Sequence, residues 1–246
     1  MSPARFFVDA PLAVGETIRV SADVAHHALR VLRLRSGDAA VLFNGLGGEY
    51  AATLRIDGSS AMAQIDAFDA VERESPLALT LIQALVAADK LDWIVEKAIE
   101  LGAQRIVITP MQRCVVRLDT ARRMRRLQHW RDIARAACCQ CGRNRVPAVD
   151  FGESFDAALA TAADDELRFV LVPAAAGRLP GTLPGGRATL MVGPEGGLSA
   201  DEQQHAESAG FVAVRLGPRV LRTETAGLAA LASLQALSGD LVATDQ

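Results

Sequence analysis

Residues 188–202 read ATLMVGPEGGLSADE. Ala188–Val192 is an apolar run without alternation, which suits a strand buried on both faces, as in a parallel sheet. Ser199-Ala-Asp-Glu202 has the form of a capping box. The Ser199 hydroxyl can accept from the Glu202 amide, and Glu202 can reach back to the Ser199 amide. The intervening GPEGG therefore joins the carboxyl end of a strand to the start of a helix, where open α/β sheets bind ligands. Its three glycines let backbone approach a ligand closely, and Pro194 stiffens the turn. The loop is neither G-x-G-x-x-G nor a P-loop. Glu195 lies in it, and Asp201 and Glu202 already use the positive end of the helix dipole. An anion would meet three carboxylates, so a neutral or cationic ligand is expected.

Outward from this stretch the pattern is alternating strand and helix. Leu77–Leu85, Arg105–Thr109, Leu167–Val172 and Phe211–Leu216 are further short apolar strands. Asp89–Leu101 is a helix, with Leu91, Ile94, Val95, Ala98 and Ile99 on one side. Ala121–Cys141 reads as a long arginine-rich helix and Thr225–Leu237 as a very apolar one. Repeated βα units imply a parallel sheet with helices on both faces. Residues 1 to about 70 differ: LAVGETIRV, SGDAAVLFN and GEYAATLRI each place a turn residue before a strand-like run. With a short helix at Asp23–Leu34, they predict a small β-barrel. AVERESP, residues 70–76, is the linker. The expected domains are 1–72 and 73–246.

Composition narrows the function classes. Half of the 246 residues are hydrophobic, yet no run of about 18 apolar residues suggests a membrane span. The first residues lack the apolar core of a signal peptide, so a cytoplasmic protein with no membrane contact is expected. The net charge of −3 conceals an asymmetry. Arg105 to Arg145 holds eleven arginines, no lysine and two acids, a net +9 that leaves −12 for the remainder. Arginine-only basicity points to phosphate or base recognition, and its competing explanation is a solvated helix face with internal ion pairs. Cys114, Cys138, Cys139 and Cys141 contain a single C-x-x-C. A structural zinc site needs a second ligand pair, so free thiols and no metal are expected.

Three strands end in unusual loops: LVP closes at Pro173, MVGPEGG follows the next, and RLGPRVLRTETA spans 215–226. In a parallel sheet such loops converge on one crevice. Arg219, Arg222 and Glu224 are the ionisable groups at its edge, and the arginines have Glu195 and Glu224 as candidate partners.

GPEGGLSADE followed by LGPRVLRTETA resembles the SPOUT superfamily of methyltransferases and, within it, the ribosomal RNA small subunit methyltransferase E family. RFF near the start, HHALRVLRLRSGD, KLDWIVEKAIELGA, the Arg113 region and AACCQCGRNRVP extend the likeness along the chain. One departure is Cys139, where the family commonly has Glu before the Gln. The resemblance implies a SPOUT-type parallel sheet with a C-terminal trefoil knot, a PUA-like N-terminal β-barrel that helps to bind RNA, and a homodimer. It implies S-adenosylmethionine as cofactor and 16S ribosomal RNA, within the small ribosomal subunit, as partner. The implied reaction is methylation of N3 of a uridine in the decoding region, uridine 1498 in the family.

On this resemblance the cofactor residues are Leu171, Val172 and Pro173 from the first loop. From the second come Met191, Val192, Gly193, Pro194, Glu195, Gly196 and Gly197, and from the third Leu216, Gly217, Val220, Leu221 and Thr225. Arg219 and Arg222 would stabilise the uracil anion, with Glu224 as orienter or proton acceptor. RNA contacts are expected from Arg30, Arg33, Arg35, Arg113, Arg122, Arg123 and the rest of the run to Arg126, and from Gln140, Arg143 and Arg145. The rival readings are a SPOUT enzyme acting on another base or on ribose 2′-OH, and a non-catalytic ribosomal RNA-binding assembly factor. A dinucleotide-dependent oxidoreductase lacks its glycine fingerprint.

Overall fold

Apolar runs that read as doubly buried strands do lie inside one sheet. The computed structural model describes residues 3–162 and 167–242. The chain divides into two compact units, Met1–Glu74 with Cys138–Val146, and Ser75–Ala137 with Pro147–Gln246.

The larger unit is built on a seven-stranded, wholly parallel sheet. Its strands are β6 (Ala78–Ala84), β7 (Ala103–Thr109), β8 (Ala148–Phe151), β9 (Leu167–Leu171), β10 (Gly177–Arg178), β11 (Arg187–Val192) and β12 (Val212–Arg215). Their order is β10-β12-β9-β11-β6-β7-β8. β11 has β6 on one side and β9 on the other, and from Ala188 onward all its residues are buried, as the unalternating sequence requires. The helices are α2 (Ala88–Glu100), α3 (Thr120–Cys141), α4 (Phe155–Ala160), α5 (Ala200–Ser208) and α6 (Thr223–Ser238). The predicted apolar face of α2 is its buried face. α6 packs on α2, β11 and β6. At Gly227 a Cβ would meet Leu81 Cδ1 at 3.1 Å and Val192 Cγ2 at 3.2 Å, so glycine lets α6 lie this close to the sheet without displacing those side chains. Its far end is tied by Gln235, which receives the Ser75 hydroxyl at 2.7 Å and donates to the Leu101 carbonyl at 3.0 Å.

In this unit the sequence missed β8, α4 and β10, and in the smaller unit β1 (Ala4–Phe7) and β5 (Ser60–Asp69). β8 and α4 are only four and six residues long, and two-residue β10 carries no hydrophobic pattern. At so short a length periodicity carries little information.

The smaller unit has a five-stranded sheet ordered β1-β3-β4-β5-β2, with β1 (Ala4–Phe7) parallel to β3 (Ala39–Phe43). β2 (Thr17–Arg19), β4 (Glu49–Asp57) and β5 (Ser60–Asp69) pair antiparallel. Alternating residues such as Ala52, Leu54, Ala61, Ala63 and Ile65 form its core with Phe6, Val8 and Leu42. The predicted short helix is α1 (Ala22–His26), capped by Ser21, followed by a π-helical turn over His27–Val31. Residues after α3 join this unit through buried pairs. The Arg5 guanidinium donates to Asn144 Oδ1 at 2.6 Å, and Arg143 Nε donates to the Glu74 carboxylate at 3.1 and 3.2 Å.

Candidate active site

β12, β9 and β11 are adjacent in the sheet, so the loops at their carboxyl ends meet. Together they enclose a cavity of about 470 Å³, within the size range of small-molecule sites. The first loop contributes Leu171, Val172 and Pro173 to its wall. The second contributes Val192, Gly193, Pro194, Glu195, Gly196 and Gly197, and the third Leu216, Gly217, Val220 and Leu221. Arg219, Arg222 and Glu224 line it as well. Met191 and Thr225 do not: Met191 is fully buried in β11, and Thr225 points to solvent in the first turn of α6. Leu198, Gln203, Val214, Arg215, Thr223 and Ala226 complete the wall. Val214 and Ala226 follow from the strand and helix that flank the third loop. No sequence pattern marked Gln203.

The capping box is formed as expected. Glu202 N donates to Ser199 Oγ at 3.1 Å, and Ser199 N donates to Glu202 Oε2 at 2.9 Å. Glu202 Oε1 also accepts from Gln112 N at 2.6 Å.

The start of α6 is organised differently from a side-chain cap. Arg222 is the N-cap, and its side chain makes no capping bond. The Thr223 hydroxyl donates to the Gly193 carbonyl at 2.7 Å and accepts from Gln83 Nε2 at 3.0 Å. A hydroxyl has one proton, so the Gly193 bond fixes the orientation of the Gln83 amide.

The pocket's carboxylates take an unexpected partner. Neither Arg219 nor Arg222 pairs with them; Lys90 does, at 2.8 Å from Glu195 Oε1 and 3.6 Å from Glu224 Oε2. Burial pushes the Glu195 carboxyl up, but the hydrogen bond and charge of Lys90 outweigh it and hold it below its ordinary value. The second distance is beyond hydrogen-bonding reach, and Glu224 Oε2 is a buried atom without a hydrogen-bond donor. Arg219 and Arg222 are exposed and have no ionic partner among the described residues.

The basic stretch is largely neutralised internally. Seven of its eleven arginines, 105, 122, 123, 131, 135, 143 and 145, pair with carboxylates. Arg123 also lies over the Phe151 ring. Arg113 donates to the Gly196 carbonyl at 2.9 Å, so it braces the GPEGG loop. Arg143 corrects the expectation of an RNA-facing arginine. It is 4 % exposed and bound to Glu74, because an arginine drawn into a core needs a carboxylate there. Gln140 and Arg145 are exposed, the latter paired with Glu72 at 3.2 Å. Arg30, Arg33 and Arg35 are exposed on the smaller unit, and Arg33 is the one described non-glycine residue with positive φ, at 56°. All four cysteines are free thiols, and burial pushes that of Cys138 up to about 12. Among the described residues no His, Cys, Asp and Glu cluster is arranged to hold a metal, and no helix is long and apolar enough to cross a membrane.

The parallel sheet and its three-loop pocket lie within a segment that matches an RNA methyltransferase domain. The family described as the RNA methyltransferase domain matches residues 73–235, and the RNA methyltransferase PUA domain matches residues 20–65. Ribosomal RNA small subunit methyltransferase E of Mycobacterium bovis is 34% identical over 241 residues, 95% of this chain and 91% of that protein. The enzyme of the same name from Neisseria gonorrhoeae, solved bound to S-adenosylmethionine, is 38% identical with a TM-score of 0.90, over 98% of this chain and 100% of that one. A methyltransferase of Legionella pneumophila, also solved with this cofactor, is 33% identical with a TM-score of 0.92 over the same shares. The chain belongs to the ribosomal RNA small subunit methyltransferase E family.

Proposed function

We propose that the protein methylates N3 of a uridine in the decoding region of 16S ribosomal RNA, using S-adenosylmethionine. The observation that carries this reading is the pocket closed by the loops after β9, β11 and β12, with two unpaired arginines and a carboxylate at its edge. The pocket fits the cofactor. Its volume suits a nucleoside, and its wall combines apolar side chains and loop backbone with the carboxylates Glu195 and Glu224, which would suit a cationic group, and arginines at its edge. Pro173, Val192, Gly193, Leu216 and Leu221 would hold the cofactor in a bent form within a trefoil knot made by the three loops.

When bound, the cofactor supplies an electrophilic methyl group on sulfur. Uracil N3 carries a proton at neutral pH and is a poor nucleophile until that proton leaves. Glu224 Oε2 accepts the N3 proton. Arg219 and Arg222 donate to the flanking carbonyl oxygens, where the negative charge gathers. With its proton on Glu224, N3 would be the nucleophile for the methyl group that the cofactor would supply, and a neutral thioether would be left behind. Alignment of donor and acceptor by the loops supplies much of the acceleration.

In this reading residues 1–72 form the PUA-like RNA-binding domain and 73–246 the catalytic domain, in a cytoplasmic homodimer acting on the small subunit. Arg30, Arg33 and Arg35, with Arg125 and Arg126, are the arginines free for phosphate, because most others in the basic stretch are already paired. The test is transfer of labelled methyl to small subunits lacking the modification, with the product nucleoside identified by mass spectrometry. N3-methyluridine is expected. A 2′-O-methyl product, or cofactor binding without transfer, overturns the reading.

A further inference from the structure

Lys90 stands in the first turn of α2, far in sequence from every loop of the pocket, and does not itself line the cavity. A cation there opposes the helix dipole, and Ala87 provides no side-chain cap to offset it. What Lys90 gains is two carboxylates from two different loops, Glu195 of the GPEGG loop and Glu224 of α6. The two contacts are unequal. Glu195 takes a hydrogen bond at 2.8 Å, whereas Glu224 Oε2 receives only charge at 3.6 Å. Glu224 Oε2 is thus buried and without a hydrogen-bond donor, which is a costly arrangement. The nitrogen donors from other elements, Arg215, Arg219 and Arg222, line the same cavity without bonding to it.

We infer that Lys90 is a positioning residue, which locks the GPEGG loop to the start of α6 and keeps Glu224 Oε2 open to accept an N–H from the base to be methylated. This deepens the proposed transfer to a nucleobase and rests on it. Lys90 is not a catalytic residue, since its ammonium is engaged by the two carboxylates and does not line the cavity.

The experiment measures single-turnover transfer of labelled methyl, with cofactor affinity followed separately by calorimetry, for the wild type and for Lys90→Met, Lys90→Arg, Glu224→Gln and the double variant K90M/E224Q. Lys90→Met is expected to slow transfer about ten- to hundred-fold, the scale on which misplacement of a reacting group is felt. The cofactor Kd should rise by much less than the rate falls, because the contact to Glu195 braces the cofactor loop while the contact to Glu224 serves the acceptor. Lys90→Arg should recover most of the rate. On the Glu224→Gln background Lys90→Met should add little, because both act through one oxygen. Equal losses of rate and cofactor affinity would place the N–H donor on the cofactor's own ammonium and overturn the inference, as would additive losses or an unchanged rate. The wild-type product nucleoside tests the uridine-N3 reading separately, because the Lys90 comparison is read from label transferred to whatever base accepts it.

Discussion

The Thr223 hydroxyl bonds the Gly193 carbonyl at 2.7 Å, joining the start of α6 to the first residue of the GPEGG loop. Thr223 and Gly193 are both buried, and Gln83, which donates to the same hydroxyl, is fully so. Thr223→Val keeps the shape but removes the hydroxyl from the buried Gly193 carbonyl and leaves Gln83 Nε2 only its long 3.4 Å bond to the Ala84 carbonyl. It should cost about 2–3 kcal/mol in a denaturant melt, with weaker cofactor binding. Thr223→Ser retains the hydroxyl and should stay within about 1 kcal/mol of the wild type.

Gly193 is also sterically required. A Cβ there would sit 2.6 Å from Leu198 Cδ1 and 3.1 Å from Leu198 N. The side-chain atom can move, but the backbone nitrogen cannot without reshaping the loop. Gly193→Ala should raise the cofactor Kd about ten-fold or more, the effect of overpacking by one methyl. Calorimetry with S-adenosylmethionine reads this directly, and an unchanged Kd would show that the loop adapts.

Arg143 and Arg145 are two residues apart and should behave oppositely. Arg143→Ala strands the Glu74 carboxylate in a buried setting and should destabilise by about 3–5 kcal/mol. Arg145→Ala removes an exposed pair with Glu72 and should cost less than about 1 kcal/mol. Thermal melting of the two variants compares them, and equal melting points would contradict the burial.

Glu49 gives the smaller unit an acid-sensitive contact. Burial pushes its carboxyl up, but hydrogen bonds from Arg73 and Arg5 outweigh this and hold it below the ordinary value. A carboxyl lowered in the folded state contributes stability that is complete above its unfolded value and is lost as pH falls through the folded one. Stability should therefore fall on acidification below the usual glutamate range. Glu49→Gln should be less stable at neutral pH and show a flatter acid limb, as followed by urea melts across pH.

RNA affinity should respond to the unpaired arginines rather than to the paired ones. Replacing Arg30, Arg33 and Arg35 with Gln should reduce the slope of log K against log salt by about two to three, near 0.7–0.9 per phosphate contact. The paired Arg131 and Arg135 should leave the slope unchanged when replaced. Filter binding over a salt series distinguishes the two sets.

The elements that shape the pocket were legible because they are written locally. Ala188–Val192, Leu167–Val172 and Phe211–Leu216 each carry a strand in apolar residues alone, and the Ser199 box announces α5 in four residues. Charge partners were not legible. Glu195 and Glu224 had two nearby arginines as candidates, yet both carboxylates face Lys90, more than a hundred residues earlier. Coulomb attraction has no sequence register, so the partner is whichever cation the strand order brings close.

The sequence by itself determined the βα alternation, the strands and helices that flank the pocket, and the two long motifs that mark the family. These follow from hydrophobic periodicity and helix capping, which act over a few residues. Only the tertiary structure decided that β12, β9 and β11 are neighbours and that Thr223 ties α6 to Gly193. It also buried Arg143 on Glu74, while leaving Arg219 and Arg222 unpaired at the pocket's edge. Those outcomes depend on which distant segments pack together, and burial then dictates which polar groups must find a partner.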